Sequence, residues 1–136
     1  MTPQSVYGAI ALAFCSMAAM HAHAARSAEE WAQVAAGEVA QLDLQAIRKF
    51  GESQARFEVK ISRADSASPA PEDHAPRTVR YMADCDLGTM VLVAVGLYDR
   101  SGQFAQTLMV PPGAADPVKP QQGSDEAKWI RRACLF

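Results

Sequence analysis

The sequence is short of the side chains that most enzymes use as acids, bases and nucleophiles at neutral pH. It has three histidines and three cysteines in 136 residues, and His21, His23 and Cys15 lie in one apolar N-terminal segment. A histidine-based triad or zinc site in the rest of the chain would therefore depend on His74 alone. The sequence also lacks a G-x-S-x-G elbow, a glycine-rich phosphate-binding loop and a calcium-loop pattern. We therefore expect no catalytic, cofactor-binding or metal-binding residues and no enzymatic activity.

A large excess of charge of either sign is also absent. The formal net charge is -2, and every charged side chain lies at or after Arg26. Binding of nucleic acid needs a basic stripe, and binding of an anionic membrane surface needs a polybasic patch. The composition therefore gives no indication of a nucleic-acid partner or of binding to a membrane surface.

The N-terminal segment has the pattern of an export signal. An apolar run from Val6 to Ala22 ends in the A-x-A triplet Ala22-His23-Ala24, which predicts cleavage after Ala24. We therefore expect a signal peptide at 1–24, a single mature domain at 25–136, and a location in the periplasm or at the cell surface. The amino-terminal region departs from the pattern because it has no lysine or arginine.

Two alternatives to cleavage remain open at this segment. Lipidation at Cys15 would follow from Leu12-Ala13-Phe14-Cys15, although Phe14 occupies a position that needs a small residue. A retained anchor would need about 20 strongly apolar residues, and this run is shorter and rich in alanine. Without such an anchor, the mature chain has no stable transmembrane segment.

Removal of Cys15 with the signal leaves Cys85 and Cys134 in the mature chain. An even pair in an exported protein is typical of a disulfide, because the periplasm oxidises thiols. The alternative is that Cys85 is a catalytic thiol, but no histidine lies near it in the sequence. We therefore predict a Cys85–Cys134 disulfide.

Hydrophobic periodicity predicts an α+β domain. Strict alternation over 56–61 and 77–85 predicts half-buried antiparallel strands, and the nearly continuous apolar run 90–97 predicts a central or doubly covered strand. Ser124 is a predicted helix N-cap, followed by Asp125 in the first turn, where negative charge is favoured. The predicted fold is a curved antiparallel sheet of about six strands with a C-terminal helix tied to it by the disulfide. The strands are 31–35, 39–44, 56–61, 77–85, 90–97 and 104–110, with a helical turn within 43–49 and a mobile loop at 64–76.

Several short motifs occur in an order that resembles the bacterial surface-adhesin protein E-like family. They are Trp31, an Asp-x-x-x-Ile turn from Asp43 to Ile47, Tyr81-Met82-Ala83-Asp84-Cys85, Pro111-Pro112-Gly113, Gly123-Ser124 and Cys134. The resemblance spans about residues 29–134 and implies a six-stranded antiparallel sheet, a disulfide-tied C-terminal helix and an envelope location. It also implies binding of host matrix or serum proteins, as associated with the founding adhesin. The chain departs from the family in having Ala115-Asp116 where a tryptophan often follows the Pro-Pro-Gly segment.

Two groups of residues are candidate functional residues. Asp84 and Asp86 would share a strand face about 7 Å apart, a spacing that can serve glycoside hydrolysis, although such pairs more often cap turns or face solvent. The aromatic residues are first core candidates, with ligand stacking as the alternative; they are Trp31, Phe57, Tyr81 and Trp129. We expect a non-enzymatic envelope protein that acts through protein–protein contact, adhesin-like in role, with the hairpin edges and the 64–76 loop as contact surfaces. The alternative is a periplasmic small-ligand or inhibitor module that uses the concave side of the sheet.

Overall fold

The computed structural model describes residues 26–65, 75–99 and 101–136. The predicted signal peptide with Cys15, and residues 66–74 of the predicted mobile loop with His74, lie outside these residues. The helices are α1 (Ala28–Ala32) and α2 (Asp125–Cys134), with a single 3-10 turn at Leu44–Ala46. The strands are β1 (Glu38–Leu42), β2 (Arg48–Phe50), β3 (Gln54–Arg63), β4 (Arg77–Asp84), β5 (Thr89–Tyr98) and β6 (Phe104–Met109).

The six strands form one antiparallel sheet in the order β1-β3-β4-β5-β6, with β2 also paired to β3. β1 and β2 lie end to end along the same side of β3, because Leu42 pairs with Val59 and Arg48 pairs with Arg56. The 3-10 turn separates them, and Asp43 caps it by accepting from the Gln45 N–H at 3.0 Å. The predicted fold class is therefore confirmed: a six-stranded antiparallel sheet with a C-terminal helix and a disulfide between them.

One face of the sheet carries the hydrophobic core. Phe57 and Val59 of β3 are buried and pair with Tyr81 and Val79 of β4, so the predicted alternation in these two strands is confirmed. The predicted 77–85 strand ends one residue earlier than expected, at Asp84. Both helices pack on this core face, where residues of α1 and α2 join the same cluster of buried side chains.

The apolar run of β5 is explained by a β-bulge at Val93. Leu92 pairs with Tyr81 and Ala94 pairs with Arg80, so Val93 has no partner in β4. The extra residue reverses the alternation, so both Leu92 and Val95 face the core. β5 is central in having a strand on each side, as predicted.

The predicted C-terminal helix is confirmed as α2. The Ser124 hydroxyl accepts from the Ala127 N–H at 3.2 Å, which satisfies one of the free donors at the helix start. Trp129, Ile130 and Ala133 are buried against the sheet. The helix therefore begins at its predicted cap and packs its apolar face on the core.

The disulfide joins the end of α2 to the turn after β4. The Cα atoms of Cys85 and Cys134 are 5.7 Å apart, within the usual range for a disulfide. Lys49 of β2 donates from Nζ to the Cys134 carbonyl oxygen at 2.9 Å, which complements the negative end of the helix dipole. Disulfides persist in oxidising compartments, so this bond indicates such a compartment for the protein.

The predicted strand at 31–35 is wrong, because Trp31 lies in α1. Ser27 caps this helix by accepting from the Glu30 N–H at 3.1 Å, and Ala28, Trp31 and Ala32 pack against the core. Their spacing of three and four residues is that of a helix face. The sixth strand is instead β2, which overlaps the end of the predicted helical turn at 43–49.

Arg77, the first residue of β4, is buried on the core face, and all five of its guanidinium N–H groups are bonded. Nη1 and Nη2 donate to the two carboxylate oxygens of Glu38 at 2.6 and 2.7 Å. Nε and Nη2 donate to the carbonyl oxygens of Trp31 and Gln33, the second at 2.7 Å. Nη1 also donates to the Ala75 carbonyl oxygen at 3.2 Å. This residue therefore holds the end of α1, the start of β1 and the start of β4 together.

We expect Arg77→Met to lower the free energy of unfolding by about 3–5 kcal/mol, because it removes the guanidinium group that pairs with the buried Glu38 carboxylate. Urea unfolding of the oxidised protein measures this change. The control is Arg80→Met in the same strand, whose ion pair with Glu58 is partly exposed at 39% and 21%. Loss of that pair should cost under about 1 kcal/mol. An equal decrease in the free energy of unfolding in the two variants would contradict the larger contribution assigned to the buried ion pair.

We expect the double variant Cys85→Ser/Cys134→Ser to unfold about 4 kcal/mol more easily than the oxidised protein. The reason is that the bond closes a loop across a sequence separation of 49 and removes entropy from the unfolded chain. Urea unfolding with and without reductant measures the change. Reductant should destabilise the unaltered protein and leave the double variant unchanged; an unaltered protein that ignores reductant would refute the prediction.

Candidate functional site

A groove of about 930 Å³ lies on the core side of the sheet between the two helices. Its floor comes from β4 and β5, its walls come from α1 and α2, and a third side comes from the segment 115–121. This volume is in the range of small-ligand sites. The lining residues are Glu29, Ala32, Gln33, Val34, Tyr81, Met90, Leu92, Ala115, Asp116, Val118, Lys119, Pro120, Gln121, Ser124, Glu126 and Trp129.

Two backbone attachments position the walls of the groove. The α1 wall ends at the Trp31 and Gln33 carbonyls, which accept from Arg77. The segment 115–121 is attached through a single β-bridge, in which Val118 and Met90 exchange N–H···O bonds of 2.9 and 2.8 Å. The groove is therefore formed by parts of the chain that are distant in sequence.

The polar groups of the groove carry more negative than positive charge. Glu29, Asp116 and Glu126 supply three carboxylates, and Lys119 supplies one ammonium group. None of the four forms an ion pair with another described residue. The rim of the groove is therefore electronegative, and its carboxylates are available to a ligand.

Tyr81 lies on the floor of the groove, and the pKa of its hydroxyl group is raised. Burial and, to a smaller extent, the nearby negative charge of Glu126 together raise the pKa of Tyr81 to about 12. One ring face stacks on Phe57, with ring centroids 5.5 Å apart. The hydroxyl has no hydrogen-bond partner among the described residues and is not sealed from solvent, and Tyr81 lines the groove.

The predicted carboxylate pair does not form as expected. Asp84 ends β4, whereas Asp86 lies in the following turn. Oδ1 of Asp84 accepts from the N–H groups of Asp86 and Leu87, both at 3.0 Å. Asp84 therefore caps the turn in the way of an Asx turn, and the two carboxylates do not share a strand face.

The aromatic candidates divide between the core and the groove. Phe57 is fully buried, and Trp31 packs on the core beside Arg26, whose guanidinium carbon is 4.1 Å from its ring centroid. Tyr81 and Trp129 belong to the core but also line the groove, as the stacking alternative requires. The carboxylates around them were not predicted, since nothing local in the sequence marks Glu29, Asp116 and Glu126 as neighbours.

A second surface of interest is the sheet face opposite the helices. Phe104 and Met109 of β6 are 61% and 64% exposed. Phe104 packs edge-on against Tyr98, with centroids 6.0 Å apart, and lies over Gly96. Toward β3 the same face is polar, since Arg80 donates to Glu58 there at 2.7 and 2.9 Å. The apolar part of this face therefore lies at the β6 edge.

No group of three or more His, Cys, Asp or Glu side chains in 26–65, 75–99 and 101–136 is arranged to hold a metal ion. Within the same residues, neither helix has the length and apolarity needed to cross a membrane.

Comparisons with known proteins place the fold. The chain is similar to the crystal structure of Haemophilus influenzae protein E in its crystal form II, with a TM-score of 0.50 and 12% sequence identity. The similarity covers 76% of this chain and 91% of that one. No family model matches the sequence, and no curated protein matches it. At this identity the likeness establishes a common fold, in agreement with the architecture that the sequence resemblance implied.

We expect Tyr81 to ionise near pH 12 rather than near its ordinary value of 10, as measured by tyrosinate absorbance and assigned with Tyr81→Phe. Because the folded protein holds this proton more tightly than the unfolded chain does, the free energy of unfolding should fall as the pH rises from 10 to 12. Glu126→Gln should lower the pKa of Tyr81 only in part, because burial is the larger cause. A Tyr81 that ionises at its ordinary value would refute this assignment.

Proposed function

We propose that the protein is exported to the bacterial envelope, where it acts without catalysis by binding another protein. The predicted signal peptide at 1–24 and the Cys85–Cys134 disulfide support export to an oxidising compartment. The fold shared with Haemophilus influenzae protein E is consistent with this location. The sequence resemblance to the surface-adhesin protein E-like family supports an adhesin-like role at the cell surface, with a host protein or an envelope protein as partner.

The observation that carries this proposal is the exposed apolar surface beside the open edge of β6. β6 lies at the end of the sheet order and pairs on its outer side with no described strand. The strand, Phe-Ala-Gln-Thr-Leu-Met, has no charged residue and no proline, although natural proteins usually protect exposed edges with such residues. Exposed apolar side chains next to free backbone donors and acceptors are typical of a protein contact site.

A photo-cross-linking experiment in intact cells tests this contact. A photoreactive phenylalanine analogue is placed at Phe104 or Met109, and for the control at Leu87, which is 63% exposed but lies in the β4–β5 turn. We expect discrete cross-linked protein adducts from the two β6 positions and none from the control. Protease added to intact cells should degrade the protein if the contact is at the cell surface and spare it if the contact is periplasmic.

The intact mass of the recovered protein tests export in the same experiment. We expect a chain that begins at Ala25 and gains two hydrogens on reduction. A chain that retains Met1, or one that is lipidated at Cys15, would refute cleavage after Ala24. Adducts that form equally from Leu87, or none at all from β6, would refute the contact surface.

A second candidate function is that of a periplasmic small-ligand module. The groove between α1 and α2 favours it, because it has the size of a ligand site and an apolar floor with a few polar groups. The groove does not include β6, so the two candidate functions use separate surfaces and can be tested independently.

A further inference from the structure

Three side chains of the groove meet where the first turns of α2 pass over the sheet. Glu126 and Trp129 are three residues apart in α2, which makes them neighbours on one face of the helix. Tyr81 lies on the floor close enough to Glu126 for the carboxylate to act on its hydroxyl. All three line the same cavity, so a ligand in the groove would contact them together.

Trp129 supplies a hydrogen-bond donor that the protein does not use. Its side chain is 9% exposed, yet its indole N–H has no acceptor among the described residues. Buried indole N–H groups normally find a partner, and no fully buried side-chain N or O atom of the described residues is left unsatisfied. The indole nitrogen is therefore accessible to solvent, and Trp129 lines the groove, so its N–H is available to an acceptor on a ligand there.

Glu126 supplies a negative charge that also has no partner. It is partly buried, whereas its neighbour Asp125 is exposed and lies 3.8 Å from the Lys128 ammonium group. The other groove carboxylates, Glu29 and Asp116, increase the negative potential, and Lys119 offsets only part of it. A cation that replaces the water around Glu126 would gain a charge-assisted hydrogen bond in a partly desolvated site.

We propose that the groove binds a small organic cation that combines a primary ammonium group, an apolar body and a carbonyl oxygen, as an amino-acid amide does. The ammonium group donates to the Glu126 carboxylate and to the Tyr81 hydroxyl oxygen. The carbonyl oxygen accepts from the indole N–H of Trp129. The apolar body packs on Met90 and Leu92 at the floor. This inference rests on the ligand-binding candidate and is independent of the β6 surface.

The test compares two compounds that differ in charge and share the carbonyl group and apolar body. Leucinamide has a free ammonium group at about pH 6, below the usual α-amino pKa of about 8, whereas N-acetyl-leucinamide is neutral. Nuclear magnetic resonance titration follows the indole N–H signal of Trp129, assigned with Trp129→Phe. We expect leucinamide to shift this signal and to bind at least about tenfold more tightly than the neutral compound, as one charge-assisted bond requires.

Matched variants test whether the Glu126 carboxylate is the group that binds the ammonium group. Glu126→Gln should weaken leucinamide binding about tenfold and leave the weak binding of the neutral compound unchanged. Asp125→Asn removes the same charge from the same helix turn outside the groove and should change affinity less than about twofold. Raised salt should weaken the binding of leucinamide alone. If Glu126→Gln lowers the melting temperature, the comparison of the two compounds on the unaltered protein still tests whether the groove prefers a cation.

The outcomes separate this inference from the function on which it rests. If N-acetyl-leucinamide binds as tightly as leucinamide, the cation specificity is refuted while the groove remains a ligand site. If neither compound shifts the Trp129 signal, the inference is refuted, and the ligand-binding candidate then requires a ligand of another chemical class. Equal effects of Asp125→Asn and Glu126→Gln would also overturn the role given to Glu126.

Discussion

The buried guanidinium of Arg77 is the interaction on which the arrangement of the N-terminal half depends. A charge removed from water is tolerated only when its donors find oxygen atoms in good geometry. Here a carboxylate takes two of these donors and three backbone carbonyls take the others. The Glu38 carboxylate also accepts from the Ala35 N–H at 2.9 Å, which fixes the chain just before β1. Since α1 has only five residues, too few to be stable alone, its position depends on this tie and on its packing against the core.

The fold places its two candidate surfaces on opposite sides of one sheet. The helices cover one face and leave between them a groove with carboxylates at its rim and aromatic rings within it. The other face has no described layer on it, and its apolar part lies at the β6 edge. A single sheet therefore separates the proposed small-molecule site from the proposed protein-binding surface. Substitutions on one side should leave the other side intact.

The predictable parts of the fold were those in which a residue's role depends on its near neighbours. The alternation in β3 and β4, the Ser124 cap and the two cysteines are local signals, and each was confirmed in the structure. The error at Trp31 was also local in origin. Ser27 and Glu30 have the spacing of a capping box, which favours a helix start there, whereas the short apolar run that follows favours a strand.

The rest could not be predicted because it depends on contacts between distant segments. The β-bulge at Val93 shows only as an apolar run until the register with β4 is known. Arg77 begins a strand with the usual pattern, and nothing nearby marks it as buried, because its partners come from α1 and β1. The groove brings together Glu29, Asp116 and Glu126 from three segments. Their proximity is a property of the tertiary fold alone.

The position of the disulfide decides whether the fragments of a cleaved chain stay covalently linked. A protease that cuts between Cys85 and Cys134, in the β5–β6 hairpin or in the segment before α2, leaves both products covalently linked. The nicked molecule stays in one piece, and its C-terminal strands keep their partners. A cut before Cys85, for example near Asp65, leaves the N-terminal fragment attached without a covalent bond, through strand pairing, the shared hydrophobic core and the contacts of Arg77. Where proteases are abundant, the surface formed by β6 would therefore stay attached to the protein even after the backbone around it has been cut.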